Sequence, residues 1–188
     1  MPENPIVNAK DFGLVVWLTG LSGAGKTTIA RNVQRLLAQR GRQTYLVDGD
    51  ILRTGLCSDL GYSLADREEN IRRAGAVAAM MAGMGMICLV ALISPLRKSR
   101  DKIRAQLPAG RFLEVFVNAP LEVCEQRDPK GLYARARRNE LANFTGISSP
   151  YEPPLSPEIE IRTDLRNVEQ CMRLVFELVE QTLAPKSL

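Results

Sequence analysis

The chain has 188 residues, 45% of them hydrophobic and 24% charged, with a formal charge of +4; this suffices for one globular domain with a real core, and no second domain is called for. A cationic excess this small is explained by a phosphate-handling pocket, and without an arginine-rich tail or an aromatic-basic stacking pattern no nucleic-acid partner is expected. Four scattered cysteines, Cys57, Cys88, Cys124 and Cys171, with no Cys-x-x-Cys pair and no histidine, argue against a structural zinc site, point to a reduced cytoplasmic setting, and leave a carboxylate, a lysine or the substrate as proton acceptor near neutral pH.

The first residues, Met1-Pro-Glu-Asn-Pro5, lack the basic and apolar design of a signal peptide, and residues 1–13 read as an extension before the first element. Leu14–Thr19 is a short apolar run suited to a buried parallel strand, and the residues after Thr27 as far as about position 40 read as a helix. Between them, Gly20-Leu21-Ser22-Gly23-Ala24-Gly25-Lys26-Thr27 is a glycine, four free positions, then Gly-Lys-Thr. Strand, glycine loop and helix in that order form a nucleoside-triphosphate cradle: glycines let backbone N–H groups turn inward around phosphate oxygens at the positive end of a helix. Lys26 supplies a mobile cation to the β- and γ-phosphates, the Thr27 hydroxyl a ligand for Mg2+, and Thr28 completes the ATP contact set. The competing reading is a glycine-rich turn capping an ordinary helix, which the full match disfavours.

A second strand near 43–47 leads into Asp48-Gly49-Asp50. In an extended segment, carboxylates two residues apart point to the same side. Asp48 then suits the acceptor of a hydroxyl proton, and Asp50 suits orienting a metal-bound water or the acceptor; either carboxylate can complete the metal shell through water. An Asp-Gly turn in which Asp50 caps the next helix is an equal alternative from spacing alone. Placing this strand beside the phosphate-loop strand favours function.

A helix over 66–84 and a strand over 86–93 account for Ala74–Ile93, twenty residues without a charge. The run is rich in Ala and Gly, and Gly83 and Gly85 punctuate it where helix hands over to strand, so a membrane span is not expected. Ser94-Pro95 follows where many phosphate-loop motor and switch proteins carry a magnesium-binding aspartate, and no Asn-Lys-x-Asp guanine signature is present. Small-molecule kinase becomes the leading class. Ser94 suits a phosphate or metal-shell contact, or else the start of the helix that follows.

Further elements fall at 97–106 (helix), 112–117 (strand), 120–126 and 130–141 (helices), about 158–162 (strand) and 167–183 (helix, with Val168, Cys171, Met172, Leu174, Val175 and Leu178 apolar). The alternation predicts an α/β fold of the P-loop NTPase type, three layers with a mainly parallel sheet flanked by helices. Lys130 to Arg138 reads as a lid helix whose cations, Lys130 first and then Arg135 and Arg137, neutralise a transferred phosphoryl group, or as a solvated basic face. Asn143–Pro157, with Gly146, Pro150, Pro153, Pro154 and Pro157, is expected to be a long functional loop, and 128–157 together to form lid and substrate loop.

Asp48-Gly49-Asp50-x-x-Arg53, Leu60-Gly61-Tyr62, Asp66-Arg67-Glu68-Glu69-Asn70-Ile71-Arg72-Arg73 and Ile93-Ser94-Pro95 fall in the order seen in adenylylsulfate kinases. The resemblance continues through Glu114–Asn118, Pro120–Glu125, Arg127–Tyr133, Asn143–Ile147 and Ser149–Glu152, covering about residues 14 to 162. It implies transfer of the γ-phosphoryl of ATP to the 3′-hydroxyl of adenosine 5′-phosphosulfate, with ATP and Mg2+ as cofactors, no membrane partner, and a homodimer. By family position Tyr62 and Phe144 sandwich the acceptor's adenine, while Arg53, Arg67 and Asn70 hold its anionic arm and ribose; Asp50 and Ile93 join this substrate set. Asp48, Lys26 and Ser94 form the catalytic set, although in-line transfer needs no covalent intermediate at Ser94. Capping at Ser63 and ordinary core packing are the structural alternatives for Arg67 and for the two aromatics. This chain departs from the family at Thr54, where a histidine is frequent, at Leu96, where an aromatic is common, at Ala134-Arg135 in place of two lysines, and at Tyr62, usually phenylalanine. Another small-molecule kinase of the same architecture and a nucleotide-binding regulatory protein without turnover remain as alternatives.

Overall fold

The computed structural model describes residues 12–184; residues 1–11, most of the expected N-terminal extension, lie outside the described residues. In chain order the elements are β1 (Leu14–Thr19), α1 (Lys26–Gln39), β2 (Thr44–Asp48), α2 (Gly49–Thr54), α3 (Leu64–Gly83), β3 (Ile87–Ala91), α4 (Arg97–Arg104), β4 (Phe112–Asn118), α5 (Leu121–Arg127), α6 (Leu132–Arg137), β5 (Ile159–Arg162) and α7 (Val168–Leu183). The five strands form one wholly parallel sheet in the order β2-β3-β1-β4-β5.

β1 lies at the centre and is buried on both faces, which is why its sequence is an unbroken apolar run. Leu14, Val16 and Leu18 point into a core closed by Ile29, Val33 and Leu37 of α1 and by Cys171, Val175 and Val179 of α7. Val15 and Trp17 point the other way, onto Ile71, Ala74, Ala78 and Ala82 of α3 and Ile103 of α4. The small residues of α3 reflect close approach: a Cβ on Gly75 would lie 2.3 Å from the Ile103 Cδ1. The uncharged run is thus a helix face and a core strand, and no helix among the described residues is long and apolar enough to cross a membrane. In α7 burial falls on Cys171, Val175 and Val179, one residue every turn, while Val168 is exposed. Its start is fixed by a capping box between Asn167 and Gln170.

Four local expectations need correction. A short helix, α2, follows β2 directly because the Asp48 carboxylate accepts from the Asp50 N–H at 2.9 Å; Asp48 is the cap, and Asp50 caps nothing. Asp50 therefore sits in a helix rather than an extended segment, yet both carboxylates line one cavity. β2 does not adjoin β1 either, because β3 lies between them. Finally, β3 stops at Ala91 and α6 starts only at Leu132, after Gly131 in a left-handed conformation. The Asp128 carboxylate accepts from the Tyr133 and Ala134 N–H groups and fixes that start.

Candidate active site

The sheet's strand order reverses about β1, so the carboxyl ends of β1, β3 and β2 open into the crevice where ligands bind in such folds. A cavity of about 1320 Å³ occupies that position. Its floor is the loop Gly20–Gly25. Gly20 takes φ +149° with the Val117 carbonyl 2.2 Å from where a Cβ would stand, so only glycine lets the loop leave β1 beside β4. α1 starts at Lys26 with no acidic residue in its first turn, leaving its positive end open to an anion. Ser22 through Thr28 line the cavity, whereas Gly20 and Leu21 lie behind it and present carbonyls that accept from Lys26 Nζ at 2.9 and 2.7 Å.

Lys26 is 9% exposed, and burial lowers its pKa from 10.5 to about 8; Lys130 adds to the effect while Cys124, Asp50 and Asp48 oppose it. A bound triphosphate favours the charged form, so nucleotide binding above pH 8 takes up a proton. The sign is therefore weaker binding as pH rises: from pH 7.5 to 9, ATP affinity is expected to fall about eightfold. Calorimetric titration in buffers of different ionisation enthalpy checks this, and the Lys26→Met protein is expected to lose the dependence.

Asp48 is 4% exposed at the end of β2 and lines the cavity. It reaches past the end of the intervening β3 closely enough to favour the charged form of Lys26. Asp50 is largely exposed but also lines the cavity, and it pairs with Lys130, 80 residues away in sequence. Among the described residues no group of three or more carboxylate, thiol or imidazole side chains forms a metal cage. The oxygen donors of Thr27 and Asp48, both lining the cavity, fit a Mg2+ held mainly by phosphates and water.

The acceptor candidates line the same cavity. Ser63 caps α3, accepting from the Asp66 N–H at 3.1 Å, yet Arg67 in that first turn is not a surface residue. It is 9% exposed and donates to the Tyr62 carbonyl, the Thr145 hydroxyl and the Asn143 carbonyl at 3.0, 2.8 and 2.6 Å. The Arg53 guanidinium lies 4.2 Å from the Tyr62 ring centroid, and that of Arg67 lies 5.9 Å away. Burial, and then the neighbouring Arg53 charge, lower the pKa of Arg67; two crowded cations favour an incoming anion. Tyr62 is 60% exposed while Phe144 is buried edge-on against Tyr133, and both line the cavity. Asn70 Nδ2 is a buried donor without a protein partner. Arg67→Lys keeps a charge but loses the fork; it is expected to raise the acceptor KM at least about tenfold with the ATP KM unchanged in steady-state kinetics.

Ile93 and Ser94 also line the cavity. The Ser94 hydroxyl is deeply engaged: it accepts from Trp17 Nε1 at 3.0 Å and lies 2.9 Å from the Thr19 hydroxyl. It does not cap α4, whose N-cap is Leu96. In the lid, Lys130 and Arg135 line the cavity, but Arg137 does not, because it turns away to pair with Glu125. Sequence reasoning assigned no role to Arg127, Thr163 and Arg166, which line the end of the cavity beyond Gly23 and Ala24. Arg127 donates to the Gly23 carbonyl and to Thr163, and Thr163 donates to the Ala24 carbonyl, bracing the phosphate loop from outside. The Arg127-Asp128-Pro129-Lys130 block was the available signal, but its contact with position 163 is not local.

A family model described as adenylylsulphate kinase matches residues 12–162. The adenylyl-sulfate kinase of Shewanella sp. (strain MR-4) is 55% identical over 164 residues, 87% of this chain and 80% of that protein. That of Vibrio vulnificus (strain YJ016) is 57% identical over 163 residues, 87% of this chain and 79% of that protein. Among solved structures, the Mycobacterium tuberculosis APS kinase in complex with AMPPNP and APS superposes with a TM-score of 0.85 at 47% identity, covering 90% of this chain and 98% of that one.

Proposed function

The chain belongs to the adenylylsulphate kinase family, and from that premise we infer the reaction its cavity carries out. It transfers the γ-phosphoryl group of ATP to the 3′-hydroxyl of adenosine 5′-phosphosulfate, giving 3′-phosphoadenosine 5′-phosphosulfate and ADP in sulfate activation. The observation that carries this reading is one cavity lined by the phosphate loop, by Arg53, Arg67, Tyr62, Asn70 and Phe144, and by Asp48.

The following roles are proposed for the residues that line it. The ATP phosphates lie on the N–H groups of the Gly20–Thr28 segment, and Lys26 releases the Gly20 and Leu21 carbonyls to reach the β- and γ-phosphates. Thr27 and Asp48 would hold Mg2+, which would supply neutralisation of the charge on the transferred group. Tyr62 and Phe144 stack on the acceptor adenine, Arg53 and Arg67 take the phosphosulfate arm, and the unpartnered Asn70 amide hydrogen-bonds the acceptor. Asp50 and Ile93 complete that subsite. The acceptor O3′ forms the new bond to Pγ as the bond from Pγ to the β-phosphate oxygen breaks; the O3′ proton passes to the Asp48 carboxylate and the electron pair leaves with ADP. Ser94 acts as a positioning residue, its hydroxyl already committed to Trp17 and Thr19. Lys130 leaves Asp50 to cover the phosphates as the lid, part of the 128–157 segment of a single kinase domain spanning the chain, closes.

A homodimer and a cytoplasmic location complete the proposal; the first rests on the family resemblance and the second on the four unpaired, scattered cysteines. An acceptor panel tests the assignment: adenosine 5′-phosphosulfate is expected to drive ADP formation, and gluconate or a simple nucleoside is expected not to. Equal turnover with a sugar acid would overturn it.

A further inference from the structure

Behind the cavity wall, one buried cation ties together the two segments that carry the acceptor side. Arg100 of α4 is 1% exposed. Its Nε donates to Glu114 Oε1 of β4 at 2.6 Å, its Nη1 to the Ser94 carbonyl at 2.6 Å, and its Nη2 to the Glu152 carbonyl at 2.8 Å. Glu114 balances the charge, whereas the other two bonds go to backbone of separate loops. Ser94 is held at φ +39°, a left-handed conformation that a non-glycine residue keeps only where its surroundings fix it.

The second loop is fastened to the first at several points around this guanidinium. The Glu152 N–H donates to the Pro95 carbonyl at 2.8 Å, and the Glu152 carboxylate accepts from the Arg97 N–H at 2.8 Å. The Tyr151 hydroxyl lies 3.0 Å from the Thr19 hydroxyl, and its ring stacks on Phe116. A few residues upstream, the same loop supplies Phe144 to the cavity wall, and Asn143 and Thr145 as the acceptors that hold Arg67. Arg100 does not itself line the cavity and meets its lining through the Ser94 carbonyl.

We propose that Arg100 is a positioning residue for the acceptor: by joining the Ser94 turn to Glu152 it fixes the 143–152 loop, and through that loop presets Phe144 and Arg67. The inference rests on the acceptor reading of this end of the cavity. A plain internal ion pair with Glu114 would require neither backbone bond.

Two variants separate the two roles. Arg100→Lys keeps a cation opposite Glu114 but cannot span three acceptors with one ammonium, and the paired Arg100→Leu, Glu114→Leu protein leaves no buried charge unbalanced. In both, the KM for adenosine 5′-phosphosulfate is expected to rise about tenfold while the ATP KM stays within about twofold. Hydrogen exchange supplies a readout that needs no turnover: the amides of Gly146, Ile147, Ser149 and Glu152 are expected to exchange at least about tenfold faster, with β1 and β3 as protected as in the unmodified chain. An unchanged acceptor KM in either variant, parallel rises in both KM values, or an unchanged loop exchange rate would each overturn the proposal. If the unmodified protein turned over no adenosine 5′-phosphosulfate, the assigned reaction would fail on that arm, and the exchange measurement alone would decide whether Arg100 fixes the loop.

Discussion

Asp48→Asn is expected to leave the protein folded and able to bind ATP while lowering kcat about a thousandfold, within the range a positioned general base contributes. The substitution is nearly isosteric, and an asparagine oxygen can accept from the Asp50 N–H as the carboxylate does at 2.9 Å, so the start of α2 survives. What the amide cannot do is take the proton of the acceptor hydroxyl. The chain has no histidine to substitute for it, and the neighbouring carboxylate, Asp50, is engaged by Lys130. Asp48→Ala adds the lost cap, worth about 1 kcal/mol, and its kcat is expected to match that of the asparagine variant. Single-turnover kinetics with saturating substrates, read beside thermal unfolding, checks both; a kcat within tenfold of the unmodified enzyme would remove Asp48 from proton transfer.

The second large effect is at Lys26. Lys26→Met is expected to lower kcat/KM for ATP about a thousandfold or more, because a cation aimed at the charge developing on the transferred phosphoryl is lost from a site screened from water. Methionine has a similar reach and fills the buried stem position, so collapse of the core is not the cause of the loss. Free Lys26 already spends its donors on the Gly20 and Leu21 carbonyls, which orders the loop before nucleotide arrives. The variant therefore loses affinity as well as rate, and equilibrium binding of a non-hydrolysable ATP analogue, measured beside kcat, separates the two. A variant that binds and turns over ATP within tenfold of the unmodified chain would contradict the assignment.

The phosphate cradle is legible in the sequence because all of its parts are contiguous: strand, glycines, lysine and helix follow one another within one βα unit. β1 forms at its expected limits and α1 within two residues of its own for the same reason. The acidic pair was harder. Extended geometry through Asp50 ignores that Asp48 has an acceptor positioned to start a helix two residues on, and that local hydrogen bond turns the Asp50 backbone into α2. Strand adjacency is not local at all, since nothing between residues 19 and 44 records that β3 inserts between β1 and β2. The same limit hides the Arg127 to Thr163 brace and the three bonds of Arg100, whose partners lie 6 to 52 residues away. Arg137 shows the reverse: a basic run names candidates, and only packing decides that this one meets Glu125.

ADP release from magnesium-ATP, measured with and without adenosine 5′-phosphosulfate and with the product identified chromatographically, tests the central claim most directly. ADP formation that depends on the acceptor, with stoichiometric 3′-phosphoadenosine 5′-phosphosulfate and loss of both in Asp48→Asn, is the predicted result. ATP binding without acceptor-dependent ADP, or a product phosphorylated elsewhere than the 3′-hydroxyl, would contradict it.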